Sequence, residues 1–126
     1  MVKGIGADIV DIGRMEKIIL RYGDHFLRKV FTEAEIAFCG QKARPAIHFA
    51  GRWAAKEAFY KALPQSCQAL SSWKCIQIIA AEKSGRPILE ICNTLLQHRL
   101  SKEAIERIHL TISHEQTFCT AFVMME

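Results

Sequence analysis

The stretch from Ala46 to Leu63, AIHFAGRWAAKEAFYKAL, constrains this chain more than any other. Alanine gives up no side-chain entropy in a helix and Pro64 cannot continue one, so the sequence predicts a single long helix closed at that proline. In a chain of 126 residues, much of the remaining structure must pack against such a helix. Ala50, Trp53, Ala54, Glu57 and Lys61 share one stripe of its surface, because side chains three or four apart lie one above the other. The small residues on that stripe let another backbone, or a ligand, approach closely.

The flanking segments follow other periods. Residues 2–10, VKGIGADIV, are β-branched and punctuated by glycine, which predicts a buried strand. Met15, Ile18, Ile19, Tyr22, Phe26, Leu27 and Val30 recur at helical spacing, an amphipathic helix that Gly23 interrupts. Thr32 and Glu35 form a capping-box pair that opens another helix, which ends before Pro45. Residues 64–72 read as a loop; Trp73–Ala81 and Arg86–Cys92 read as two strands turned at Lys83-Ser84-Gly85. A short helix follows over residues 93–105, capped by Asn93 or Thr94. Alternation from Ile108 to Ile112 and from Phe118 to Met124 gives a final hairpin turned at Glu115-Gln116. Helices early and antiparallel strands late make the class α+β, one domain over residues 1–126, with a small antiparallel sheet packed on one long helix. In so short a chain, part of the apolar surface is left for a neighbouring subunit to cover.

Charge and cysteines exclude several classes. Lys and Arg number 17 against 13 Asp and Glu, a net charge of +4 that favours an acidic partner. The basic residues lack the aromatic interleaving and motifs of nucleic-acid binders, so no nucleic acid is expected. No apolar run reaches the roughly 18 residues of a membrane span, so none is expected. Lys3, Asp8 and Asp11 break up any signal-peptide core, and the expected location is the cytoplasm. The five cysteines are odd in number, scattered and never spaced CxxC, which reads as reduced thiols rather than a disulfide framework or zinc knuckle.

Two carboxylates carry the chemistry. Asp8 sits inside the apolar run Ile5–Val10, where a strand disfavours it and burial would demand a cation, a donor or a proton. Glu57 lies on the small-residue stripe, with Lys61 one turn beyond and Arg52 and Lys56 to either side. Taken singly, Asp8 is an end cap or an Arg partner, and Glu57 with Lys61 is an ordinary surface pair. Taken together, a strand carboxylate and a helix carboxylate with Lys and Arg nearby are what a Mg²⁺–phosphate site requires. The cations would neutralise the phosphate oxygens that the metal does not reach. No P-loop or dinucleotide fingerprint is present, and Ser113 and His114 are adjacent on a strand, where they point to opposite sides and cannot form a nucleophilic pair. Arg14, Lys17, Arg21 and Arg28 form a basic stripe on the first helix, either a solvated face or a docking surface for an acidic protein.

These residues resemble a known family. Gly4-Ile5-Gly6-Ala7-Asp8-Ile9-Val10 with Arg14, then Phe31-Thr32-x-x-Glu35, then Gly51-Arg52-Trp53-Ala54-Ala55-Lys56-Glu57-Ala58-x-x-Lys61-Ala62, are similar to the holo-[acyl-carrier-protein] synthases, the small-subunit class of 4'-phosphopantetheinyl transferases. Ser84-Gly85-Arg86-Pro87 and Leu110-Thr111-Ile112-Ser113-His114 continue the resemblance nearly to the end of the chain. It implies the 4'-phosphopantetheinyl transferase fold as a cytoplasmic, Mg²⁺-dependent homotrimer with active sites between subunits. The implied reaction moves 4'-phosphopantetheine from coenzyme A to a serine of apo acyl carrier protein, in support of fatty acid biosynthesis. Adenosine 3',5'-bisphosphate is the other product. Asp8 and Glu57 would be the metal ligands, and Glu57, Lys61 and Asp8 the catalytic set. Arg52, Lys56 and Lys61 would lie near the coenzyme A phosphates, Pro87 and His114 where a neighbouring chain borders the nucleotide. The stripe of Arg14, Lys17, Arg21 and Arg28 would dock the carrier. The proton acceptor is Glu57 itself, or a metal-bound water held by Asp8 or Glu57. The family's Gly-rich loop is replaced here by Pro64-Gln65-Ser66-Cys67. Two other readings stay open on the residues alone: a small Mg²⁺-dependent phosphate-ester hydrolase, and a basic helix-presenting module with no catalysis.

Overall fold

Strand β1 (Gly4–Asp11) leads into helix α1 (Ile12–Val30), and the two meet at Asp11, whose side chain accepts the Arg14 amide at 3.0 Å and caps the helix. The computed structural model describes residues 1–126. Helix α1 is broken at Gly23, where φ 55° and ψ −136° are closed to residues with a side chain. Thr32 then opens α2 (Glu33–Gly40) with the expected reciprocal capping box: its hydroxyl accepts from the Glu35 amide, and Glu35 Oε1 accepts from the Thr32 amide. Pro45 occupies the first turn of α3 (Pro45–Ala62), and Pro64 follows its C-cap.

The rest of the chain builds two antiparallel sheets. After the single-turn helix α4 (Gln65–Gln68), β2 (Ile76–Ala80) pairs with β3 (Pro87–Ile91). Helix α5 (Thr94–Lys102) is capped by Asn93 and leads to β4 (Ile108–His114) and β5 (Phe118–Met125). β5 lies between β1 and β4, so Ala121 has Asp8 on one side and Ile112 on the other.

Helix α3 crosses the inner face of the three-stranded sheet, and the glycines of β1 set how closely. A Cβ on Gly6 would stand 2.9 Å from both the Ala58 carbonyl carbon and the Ala62 amide nitrogen, closer still to the Ala58 carbonyl oxygen. Gly4 meets the Ala62 carbonyl in the same way. β1 therefore meets α3 at Ala58 and Ala62, beside the predicted stripe of Ala50, Trp53, Ala54, Glu57 and Lys61 rather than on it. One core cluster holds α3, both sheets and α5 together through Phe59, Ile76, Leu96 and Val123; a second joins α1, α2 and the first half of α3 through Met15, Phe31 and Phe49.

The fold departs from the sequence reading at several points. β1 is only half buried: its outward residues Ile5 and Ile9 are 60% and 63% exposed, because nothing covers that face within one chain. Tyr22 turns to solvent rather than to the core, with the Arg21 guanidinium 5.4 Å from its ring. β2 starts at Ile76 rather than Trp73, since residues 73–75 form a turn. The expected loop over 64–72 contains α4, and α5 stops at Lys102, two residues before the left-handed Ala104.

Candidate active site

The close α3–β1 seam brings Asp8, Glu57 and Lys61 to one place. Asp8 lies on the same face of β1 as Gly4 and Gly6, so the strand's alternation turns it toward α3. Lys61 Nζ donates to Asp8 Oδ1 at 3.1 Å and to the Ala7 carbonyl at 3.0 Å. The Asp8 side chain is 17% exposed while that of Lys61 is 51% exposed, so the carboxylate is sheltered and the cation reaches it from the solvent side. Lys61 is thus the partner that a half-buried Asp8 demanded. Glu57 sits one turn earlier on α3. Burial first, and the Asp8 charge second, push its carboxyl above the ordinary carboxylate range, with Lys61 pulling it partly back.

Two depressions flank these residues. Glu57 lines a cavity of about 300 Å³ whose other walls include Tyr60 on α3 and Ser71, Trp73, Cys75 and Ile76 on the segment before β2. Asp8 and Lys61 line an open groove with Thr111, Ser113, Thr120 and Phe122 of the sheet. Each carboxylate thus opens on its own depression, and the charge of Asp8 still reaches Glu57.

A second polar cluster lies farther round α3. Arg52 precedes Glu57 by five residues and so projects about 140° away, toward α2. Arg52 is 6% exposed, its guanidinium stands 4.4 Å from the Phe38 ring, and its Nε has no hydrogen-bond partner. Lys42 Nζ also lies 4.4 Å from that ring, and neither cation forms an ion pair with any carboxylate. His48 packs edge-on to Phe38. Its imidazole is pushed down first by burial, then by Arg52, Lys42 and His114. Arg52 Nε is thus a buried donor without an acceptor, in a cluster of cations without a paired carboxylate.

The other expected site residues divide. Lys56 lines the Glu57 cavity but is bonded within the chain. Its ammonium has three protons, and all are used: Glu35 Oε1 at 2.9 Å, the Trp73 carbonyl at 2.7 Å and the Ile76 carbonyl at 2.8 Å. Its side chain is buried, so no N–H is left for a phosphate. Pro87 lies in another groove with Arg86, Ile88 and His109, along β4, the edge strand opposite the β1 that carries Asp8. His114 ends β4 within electrostatic reach of His48 of its own chain. Arg14, Lys17 and Arg21 are exposed along the first segment of α1, with Leu20 88% exposed among them. Arg28 does not continue that stripe. The break at Gly23 redirects the helix, and Arg28 lines a different groove with Thr32, Glu33 and Lys74. Sequence reasoning missed Lys42, His48 and Phe38, which no local pattern marks. It saw Glu35 only as a cap, although the side chain is fully buried.

The family model described as the 4'-phosphopantetheinyl transferase superfamily matches residues 4–123. A holo-[acyl-carrier-protein] synthase from Syntrophus aciditrophicus is 40% identical over 126 residues, covering 100% of this chain and 97% of that protein. The crystal structure of the holo-[acyl-carrier-protein] synthase from Neisseria meningitidis superposes with a TM-score of 0.85 at 30% identity, covering 100% of this chain and 99% of the other. That from Bacillus anthracis, in complex with CoA (3',5'-ADP), gives a TM-score of 0.77 at 30% identity, over 99% of this chain and 96% of the other.

Proposed function

This chain belongs to the 4'-phosphopantetheinyl transferase superfamily, and from that premise we propose that it works as its holo-[acyl-carrier-protein] synthase relatives are named, transferring 4'-phosphopantetheine from coenzyme A to a serine of apo acyl carrier protein. The observation that carries the reading to named residues is the meeting of Asp8, Glu57 and Lys61 on the α3–β1 seam.

The donor set fits Mg²⁺. No group of three or more His, Cys, Asp or Glu side chains is placed to hold a metal, but Asp8 and Glu57, from two elements, stand within electrostatic reach of each other. A hard cation that keeps its waters and takes the substrate's phosphates needs no more than that. Asp8 and Glu57 would hold it, and when bound it supplies charge neutralisation at the pyrophosphate. Lys61, already on Asp8 and open to solvent, meets the phosphate oxygens from the other side. Glu57 takes the proton of the carrier serine, directly or through one water. The serine oxygen attacks the phosphorus that bears the pantetheine. The bond from that phosphorus to the bridging oxygen breaks, and its electrons leave with adenosine 3',5'-bisphosphate. The Arg52, Lys42, His48 and His114 cluster takes a phosphate of the nucleotide, and the orphaned Arg52 Nε supports this assignment.

Arg14, Lys17 and Arg21 face outward with Leu20 and form the docking surface for the acidic carrier. The outer face of the three-stranded sheet carries exposed Ile5, Ile9, Phe118 and Phe122, a patch that fits further copies of the chain in a homotrimer. There Pro87 of one subunit borders the nucleotide of another. No helix is long and apolar enough to cross a membrane, and a cytoplasmic enzyme serving fatty acid biosynthesis is the fitting setting. A hydrolase would have no use for the basic helix, and a docking module none for the carboxylate pair.

The test is direct. Incubation with apo carrier, coenzyme A and Mg²⁺ should raise the carrier's mass by one phosphopantetheine. Asp8→Asn and Glu57→Gln should fold and lose most of that activity. Coenzyme A consumed without a gain of mass on the carrier would point to the hydrolase instead.

A further inference from the structure

Lys56 and Glu35 form the chain's one ion pair whose side chains are both shut from solvent, at 2% and 0% exposure. Glu35 is as fully engaged as Lys56: Oε1 accepts from the Thr32 amide at 2.9 Å as well as from Lys56, and Oε2 accepts from the Ile78 amide at 2.9 Å. One buried pair thereby ties the start of α2, the middle of α3 and residues 73–78 to one another. An apolar pair of equal volume would hold such a core at least as well, so stability alone does not account for burying two charges. What an ammonium does, and no hydrocarbon can, is gather two carbonyls. Lys56 draws in those of Trp73 and Ile76, three residues apart, and residues 73–75 form a turn although their sequence reads as the start of a strand.

That turn is the wall of the cavity facing Glu57, with Trp73, Cys75 and Ile76 on it. Lys56 is also the residue immediately before Glu57, so the wall is referenced to the same turn of α3 that carries the reactive carboxylate. We propose that Glu35 and Lys56 are positioning residues: the pair suspends the 71–76 wall at the separation from Glu57 that admits coenzyme A, and Lys56, although it lines the same cavity, spends its three protons on Glu35 and the two carbonyls rather than on the substrate. The inference rests on the transferase reading for what fills the cavity; the placement of the wall is tested without any substrate.

In a Cys92→Ser background, which removes the exposed thiol, the remaining four cysteines are buried. Into it go Glu35→Gln and Lys56→Met together, so that no lone charge is left inside. Thiol reactivity toward Ellman's reagent, a cooperative thermal melt and coenzyme A binding by calorimetry at several salt concentrations are then measured. A folded double variant in which Cys75 reacts at least tenfold faster should bind coenzyme A at least tenfold more weakly. Its salt dependence should match the parent's, and its KM for apo carrier should stay within twofold. Protected Cys75 with unchanged coenzyme A affinity would make the pair purely structural and overturn the proposal. Weaker binding with a reduced salt dependence would place Lys56 on a phosphate and overturn it equally. If the double variant does not melt cooperatively, Glu35→Gln with Lys56→Gln, which keeps one amide donor for the wall, is read by the same criteria with smaller shifts expected. A parent protein that binds no coenzyme A would sink the transferase reading, and the Cys75 result would still decide the placement of the wall.

Discussion

Replacing Gly6 by alanine should separate the two elements that make the active site. The added Cβ would lie 2.9 Å from the Ala58 carbonyl carbon and the Ala62 amide nitrogen, both of them helix backbone that cannot rotate away. Ordinary carbon contacts lie at about 3.5–4.0 Å, so β1 must retreat from α3 by roughly 1 Å. Overpacking of this kind costs about 1–3 kcal/mol, and a rigid backbone neighbour puts Gly6→Ala near the upper end. At roughly 4 °C per kcal/mol for a domain of this size, the melting temperature should fall by ~10 °C. The same retreat carries Asp8 away from Glu57 and Lys61, and a misplacement of about 1 Å is worth on the order of a 100-fold loss in rate. Differential scanning fluorimetry and mass-spectrometric assay of carrier modification read the two effects on one sample. Gly40→Ala is the control. No atom would lie within 4 Å of its Cβ, so it should melt at or slightly above the parent temperature and keep full activity. Native stability and turnover in Gly6→Ala would refute the close-packed seam as the reason for glycine there.

Glu57→Gln should be more stable than the parent at neutral pH while losing activity. The folded state raises the Glu57 pKa, so folding binds a proton that the unfolded chain releases, and the ionised carboxylate costs stability as pH rises through that range. Melting curves of the two proteins should converge in acid, below the unfolded pKa, and diverge toward neutrality; parallel curves would contradict the burial argument. In NMR titrations, adenosine 3',5'-bisphosphate should raise the apparent pKa of His48, because an anion among Arg52, Lys42 and His114 favours the imidazolium. An unmoved His48 would put the phosphate elsewhere. Reversing Arg14 and Arg21 to Glu should raise the KM for carrier at least tenfold with that for coenzyme A unchanged, and Arg28→Glu should do far less because it lies beyond the break at Gly23. An equal loss from Arg28→Glu would restore the single continuous stripe.

Local chemistry made much of this protein legible in its sequence. The alanine run between two prolines, the Thr32–Glu35 capping box, the Asn93 cap and the two-residue alternation of β4 and β5 each depend on residues within one or two turns of one another, and each appears as read. A small-residue face on α3 was legible as a place of close approach, since only small groups permit it, although Ala58 and Ala62 rather than the stripe through Ala50 and Ala54 meet the β1 glycines. What depends on which elements meet was decided by the tertiary structure. Lys56 and Lys61 look alike in sequence, yet one faces α2 and spends every proton on Glu35 and two carbonyls, while the other faces β1 and remains open to solvent. Glu35 looked like a cap and is also the buried counter-ion of the core. Arg28 left its stripe because one glycine took a backbone angle that no helical periodicity can register. The Phe38, Lys42, His48 and Arg52 cluster has no signature in sequence, for it exists only where α2 and α3 pack together. A side chain's neighbours along the chain fix its backbone, but its charge state and its free donors are set by the groups that folding brings beside it.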